Sequence, residues 1–300
     1  MKQVFLVSYE GMPVDEDSAV LIQALNNRGI EGKSVNWDDP TIDWTKPDLC
    51  IIKSASNYIL DPTKFQNWAK KVEKTNPLWN TRKLIQWNQD KHYLKDLEKK
   101  GIPIPPSIFV SKSSSEDPRD ILQSSNWDEI VIKPTIACGS FGLQRFKSDS
   151  VEAERYLVKL TKAGYIQEIL GETHSMPPCD AIIQPYLPEI MNGEVSVFYY
   201  GNQYSHAVLK KASQNDFRAH PIWGASVERH TPSIAEYDVC DAIFDAIGMT
   251  EYVRIDLVNT SNGPLIIEVE LIEPFMFFDV HPEAADTFAD YIKMRLTAIR

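Results

Sequence analysis

The sequence predicts an α/β lobe followed by lobes of α+β character. In the first third, apolar strand runs alternate with amphipathic helical stretches, the pattern of a small parallel sheet. From about residue 128 onward, apolar runs come in pairs joined by short turns, the pattern of antiparallel hairpins. Near the C-terminus, in "RIDLVNTSNGPLIIEVELIEP", carboxylates punctuate two such runs. Acids inside a strand pair are seldom buried without a partner, so this stretch poses the functional question.

"VFLVSY" reads as the first buried strand. "DEDSAVLIQALNNRGIEG" reads as a helix, with Asp15 or Asp17 as its cap, a stripe of Ala19, Leu21, Ile22 and Leu25, and a stop at Gly29. "EGKSVNW" and "DLCIIKSAS" are the second and third strands, and "PTKFQNWAKKVEKT" is a further helix. Ser8, Tyr9, Ser54, Ser56, Asn57 and Tyr58 fall just past strand ends, where open α/β sheets place ligands. Ordinary loop polarity explains them equally well. A helix is expected from about Gln89 to Lys100, ended by Gly101, with Lys91 in its first turn. A lone helix lysine is ordinarily solvated. The prolines of "IPIPPSIFV" enforce extended backbone and mark a junction between lobes.

"EIVIKP" is an apolar strand ending near Lys133, "ACGSFG" a glycine-bearing turn, and "LQRF" the start of a return strand. Such a hairpin loop can offer backbone N–H groups to phosphate oxygens beside the lysine charge. It is not a P-loop, because the lysine precedes the glycines and no helix follows. "DSVEAERYLVKLTKAG" reads as a helix and "AIIQPYLPEI" as a strand ending in a proline-broken linker. "GEVSVFYYGNQYSHAVLKKA" alternates as two strands about a Gly201–Asn202 turn, and one of Lys210 and Lys211 must face inward. The loop "NDFRAHPIWGASVERHTP" carries Arg218, a candidate phosphate clamp. "SIAEYDVCDAIFDAIG" is a helix stopped by Gly248.

Composition narrows the function. The chain has 300 residues, 43% of them hydrophobic, and a formal net charge of -11. That is enough apolar material for two or three lobes. An even acidic balance argues against nucleic acid as a partner. None of the 4 cysteines forms a CxxC pair, which disfavours zinc or redox chemistry. The N-terminus reads as a strand and not as a signal peptide, and no stretch approaches a membrane-spanning length. A cytoplasmic protein without a membrane partner is the expectation.

Glu268 and Glu270, two apart on one strand, share a face. The turn "NTSNG" brings Asp256 beside them. Three carboxylates together repel one another unless cations neutralise them, and hard oxygen ligands of this kind suit Mg²⁺ beside phosphate. By the same repulsion, Glu268→Gln is expected to relieve the unliganded protein. A solvated strand face with Val269 and Leu271 buried beneath is the plainer alternative.

The ordered set Lys91, "VIKP", "CGSFG", "IIQPYLPEI", "GEVSV", "DFR" and "RIDLV…LIIEVELIEP" resembles the ATP-grasp superfamily. The likeness is strongest to its group of glutathione synthetase, peptide–glutamate ligases and the cycloserine-forming ligase. It covers about residues 88–280. The resemblance implies an N-terminal pre-ATP-grasp α/β lobe (1–88), a small mobile antiparallel-sheet lobe with its linker (89–187), and a C-terminal lobe carrying the metal site (188–300). It implies ATP and Mg²⁺ as cofactors. Lys91 and Lys133 match phosphate lysines; Gly139, Ser140 and Gly142 match the lid; Gln184, Tyr186 and Leu187 match the adenine hinge. Glu189 or Glu194 matches the ribose position. Lys210 or Lys211, with Arg218, matches the basic catalytic pair near the γ-phosphate. Asp256, Glu268 and Glu270 match the metal ligands, although the last is Asn in many relatives. The implied reaction joins a small carboxylate to an amine, or to an internal nucleophile, through an acylphosphate with release of ADP. Amino acids or peptide-like molecules are the expected substrates, with Ser8, Tyr9, Ser56, Asn57 and Glu273 as candidate contacts. Phe275, Phe277 and Phe278 after the metal strand read more simply as core. A homo-oligomer is compatible with this reading. A kinase of a small metabolite or a non-catalytic ATP-binding protein are the alternatives.

Overall fold

The computed structural model describes residues 1–9, 16–169 and 172–298. The first sheet is parallel, in the order β2-β1-β3-β4, from β1 (Lys2–Ser8), β2 (Ile30–Asn36), β3 (Leu49–Ile52) and β4 (Leu78–Trp79). Helices α1 (Glu16–Asn26) and α2 (Pro62–Val72) make the crossovers that parallel strands require. A capping role for Asp15 lies outside the described residues. Asp17 does not cap α1: its carboxylate turns inward and accepts from the backbone N–H groups of Met276 and Phe278.

The single helix expected from Gln89 to Lys100 is two helices, α3 (Arg82–Asn88) and α4 (Tyr93–Lys99). Lys91 sits in the break between them. Its backbone N–H goes to Thr135 O at 2.8 Å and its ammonium to Ala137 O at 2.6 Å. Local periodicity is overridden by contacts with Thr135 and Ala137, more than forty residues further along the chain.

The middle of the chain builds a second sheet, order β5-β10-β6-β7, with every neighbour antiparallel. Its strands are β5 (Ile108–Val110), β6 (Glu129–Pro134), β7 (Gln144–Lys147) and β10 (Ala181–Pro185). α5 (Pro118–Gln123) and α6 (Val151–Val158) cover it, the latter running on through a wider turn at Lys159–Ala163. β8 (Tyr165–Ile169) and β9 (Glu172–Met176) form a separate two-stranded hairpin that the sequence reading missed.

The third sheet, also antiparallel, has the order β13-β12-β11-β14-β15. It comprises β11 (Glu194–Tyr200), β12 (Gln203–Lys211), β13 (Ser226–Arg229), β14 (Tyr252–Thr260) and β15 (Gly263–Glu270). Gly201 and Asn202, both at positive φ (59° and 61°), make the tight turn between β11 and β12. One face of this sheet buries Val195, Val197, Ile255, Leu257 and Val269 against α4 and α7 (Ile234–Ile247). The last helix, α8 (Pro282–Ala298), packs Phe288 and Ile292 onto a core shared with β1, β3 and α1. Phe277 and Phe278 are buried in that core and Phe275 packs against it. Among the described residues, no helix is long and apolar enough to cross a membrane.

Candidate active site

The polar face of the third sheet gathers its charges by register. Lys210 of β12 stands opposite Glu194 of β11, and Asp256 of β14 opposite Ser196. On β15, Glu268 stands opposite Asp256, and Glu270 opposite Arg254. A register shift after Asp256 leaves Ile267 as the extra residue. It resets the alternation, so that Ile266 and Val269 are buried while Glu268 and Glu270 face the site together.

Oxygens of Asp256, Glu268 and Glu270 lie within 4.8 Å of one another. Cations from three directions hold them there. Arg254 Nη2 donates to Asp256 Oδ2 at 2.8 Å and also to Glu270. Lys210 pairs with Glu194 and, at 3.5 Å, with Asp256, whose other oxygen accepts from Ser196 Oγ at 2.6 Å. Lys91 Nζ reaches Glu268 at 2.9 Å. Burial alone would raise the Asp256 carboxyl, but Arg254 and Lys210 outweigh it and hold the group well below the usual range. Glu268 is likewise held low, because Lys91 and Lys133 outweigh its burial. Glu270 goes the other way: burial, with Asp256 and Glu268 adding to it, raises its carboxyl in spite of Arg254. Burial also pushes Glu194 up to about 7.

Between the second and third sheets runs a cleft of about 570 Å³. Its apolar part includes Val131, Tyr186, Leu187, Ile190, Val258 and Ile267; Lys133, Ser140, Gln184, Glu194 and Arg218 supply polar groups. Lys133 makes no hydrogen bond or ion pair among the described residues, and burial lowers its pKa to about 8. A smaller cavity of about 290 Å³ joins Lys133, Lys91, Ser140 and Glu268. The loop above it holds Gly139 and Gly142 at positive φ. A Cβ on Gly142 would stand 2.8 Å from the Pro134 ring, so that turn admits no larger residue without displacing β6. Arg218 chelates Asp216 at 2.6 Å and stacks 3.4 Å from the Trp223 ring centroid, while Trp223 Nε1 donates to Gly139 O at 3.1 Å.

Of the residues singled out in the sequence, Lys91, Lys133, Ser140, Gln184, Tyr186, Leu187, Glu194, Arg218 and Glu268 line the two cavities. Lys211 does not: it lies exposed on the opposite face from Lys210, paired with Glu228 at 2.6 Å. Glu189, in the turn Pro188–Asn192, is not among the described lining residues, whereas Glu194 is. Asn57 is occupied by Trp37 Nε1 and Asp38, at 2.6 and 2.8 Å. Ser8 and Tyr9 are buried at the end of β1, and Ser56 O accepts from the Cys138 thiol at 3.5 Å. Glu273 accepts from Tyr58 Oη at 3.4 Å, and burial pushes its carboxyl up to about 7. Arg254 was missed in the sequence, although its position two residues before Asp256 places both on one strand face.

Comparison with known proteins gives the family of the chain. The family described as the RimK-like ATP-grasp domain matches residues 89–274, and that described as the D-cycloserine synthetase DcsG N-terminal domain matches residues 4–80. The cycloserine biosynthesis protein DcsG of Streptomyces lavendulae is 27% identical over 308 residues, covering 95% of each chain. A probable alpha-L-glutamate ligase of Legionella pneumophila is 23% identical over 176 residues, 59% of this chain and 52% of that one. The crystal structure of D-cycloserine synthetase DcsG superposes with a TM-score of 0.84 at 24% identity, covering 98% of this chain and 99% of the other. The D-alanine–D-alanine ligase of Bacillus anthracis complexed with ATP gives 0.71 at 16% identity, covering 98% and 96%. The chain belongs to the RimK-like ATP-grasp domain family and is an ATP-grasp ligase.

Proposed function

We propose that this ligase activates a small carboxylate at the γ-phosphate of ATP, releases ADP, and passes the acyl group to an amine or an internal nucleophile. The observation that carries this reading is the meeting of a half-buried lysine without an ion-pair partner among the described residues, Lys133, with the acids of β14 and β15 at the end of an apolar cleft.

The apolar part of the cleft suits an adenine ring, with backbone of the Gln184–Leu187 segment beside it. Phosphates then extend toward Lys133, Ser140 and Lys91. The donor set fits Mg²⁺: Asp256, Glu268 and Glu270 offer hard oxygens and no sulfur or imidazole. Magnesium held there would offset charge on the phosphates. Lys133 and Arg218 stabilise charge that develops during transfer, and Lys210 helps to keep Asp256 ionised and holds Glu194 in place. The loop around Gly139, docked on Trp223, shields the acylphosphate from water. The segments 1–88, 89–187 and 188–300 are the units we assign to the three lobes. A cytoplasmic setting completes the reading, supported by cysteines without paired spacing.

The test is product analysis with Mg·ATP and a carboxylate panel, using hydroxylamine to trap the intermediate. ADP, phosphate and a hydroxamate are expected, each dependent on the carboxylate. AMP and pyrophosphate as stoichiometric products would overturn the proposal.

A further inference from the structure

Glu273, three residues beyond the metal strand, is a carboxylate that the nucleotide chemistry leaves unused. Each acid of the cluster has a cation within ion-pair distance: Arg254 for Asp256 and Glu270, Lys91 for Glu268, Lys210 for Glu194. Glu273 has none among the described residues. Its one hydrogen bond there comes from a neutral phenol, Tyr58, at 3.4 Å.

Its position is nevertheless built. Lys53 Nζ donates to Pro274 O at 3.3 Å and lies 3.6 Å from Asp17 Oδ2, and both of these side chains are 1% exposed. Asp17 in turn accepts from Met276 N, and from Phe278 N at 2.9 Å. A buried ion pair from the first sheet and α1 therefore fixes the backbone on the far side of Glu273. Tyr58 belongs to the turn Ser56–Leu60 after β3, and it shares an apolar cluster with Tyr9, Cys138, Phe141 and Ile272. Cys138 and Lys91 line the 290 Å³ cavity that also holds Lys133 and Glu268, and both lie within electrostatic reach of Glu273.

A fixed carboxylate among aromatic and aliphatic walls, with a single neutral donor, is complementary to a compact organic cation. One carboxylate and a phenol are too few hard ligands for a second metal ion. We infer that Glu273 is a specificity-determining residue that binds a primary ammonium group of the substrate, so that this ligase selects carboxylates bearing an amino group over their desamino counterparts. The inference rests on the ligase reading above. The Asp17–Lys53 pair positions Glu273 and does not touch the substrate.

The experiment uses the full chain with Mg·ATP and hydroxylamine. The probes are both enantiomers of alanine and serine, with propanoate and 3-hydroxypropanoate as desamino partners. At least one amino acid should drive phosphate release with a KM at least about thirtyfold below its desamino partner, as losing one partner of a desolvated charge pair implies. Glu273→Gln should raise that KM by a similar factor with a smaller change in kcat, and remove the discrimination. Tyr58→Phe, which keeps the ring, should raise it less. Melting temperature and Mg·ATP affinity of both variants report whether the fold and nucleotide site are intact. Equal use of amino and desamino acids by the unaltered protein overturns the inference while leaving the ligase reading in place. So does a Glu273→Gln variant that loses kcat with KM unmoved, which would mark a general base. Absence of phosphate release with every carboxylate overturns both.

Discussion

Arg254 Nη2 and Asp256 Oδ2, two residues apart on β14, meet at 2.8 Å, with side chains only 3% and 2% exposed. The same guanidinium also holds Glu270 on the neighbouring strand. Removing one member of a buried pair leaves the others charged and desolvated, which costs far more than the pair contributes against an apolar replacement. Arg254→Met should therefore lower the unfolding free energy of the nucleotide-free protein by about 3 to 5 kcal/mol. Urea titration checks this; a loss below about 1 kcal/mol would show that the acids find other countercharge.

Glu268→Gln follows from the same network with the opposite sign to that expected from carboxylate crowding. Seen only as one of three acids, Glu268 is a source of repulsion. In the fold it is the partner of buried Lys91, at 2.9 Å, and the pairing holds it ionised. The variant should lower the melting temperature of the unliganded protein, since Lys91 keeps only Ala137 O among the described partners. It should also lose the Mg·ATP-induced rise in melting temperature. An unliganded variant more stable than the unaltered chain would restore the crowding view.

These two cases show what the sequence could and could not convey. Period-two alternation made β11, β12, β14 and β15 legible, and the i, i+2 rule put Glu268 and Glu270 on one face. That rule also covers Arg254 and Asp256, so the missed arginine was within reach. The register shift at Ile267 was not, because one extra residue leaves no compositional trace. Nor was the break at Lys91 legible, since Ala137 and Glu268 hold that residue from far along the chain. The hairpin β8–β9 escaped because its strands are largely exposed and carry no apolar alternation. Lys53, inside "CIIKSAS", was not singled out, because its buried ion pair with Asp17 exists only once α1 packs beside β3.

Acid should destabilise the protein in part through His206. This ring is 3% exposed, stacks 4.2 Å from the Phe198 centroid, and bonds Met276 O through Nε2 at 2.8 Å. Ser205, His281, Glu283 and Arg229 also face it. Burial lowers its pKa from 6.5 to about 4. Between those values the unfolded chain binds a proton that the native state refuses, so stability is complete above pH 6.5 and falls as pH drops toward 4. The linked loss is about 3 kcal/mol. Other acids titrate too, so the informative quantity is a difference. His206→Gln should show a shallower decline of unfolding free energy between pH 7 and 4.5, whatever its starting stability; parallel declines would remove His206 as a contributor.

Lys133 separates stability from binding most cleanly. It is half-buried, without a described hydrogen-bond or ion-pair partner, and desolvation in the cleft lowers its pKa to about 8. An ammonium kept in this state contributes nothing to the empty fold but meets an anion without first breaking an ion pair. Lys133→Met, similar in length and free of charge, should leave the unliganded protein as stable as before or slightly more so. Its affinity for Mg·ATP should fall about ten- to a hundredfold, the worth of a hydrogen bond to a charged group. The pH dependence carries the sign. Phosphate binds the protonated amine, so affinity in the unaltered chain should decline as pH rises through about 8, whereas the methionine variant should show no such decline. Calorimetric titration at pH 7 and pH 9 measures both quantities. Equal affinities for the two proteins at pH 7, or the same decline in both, would place Lys133 outside the phosphate site.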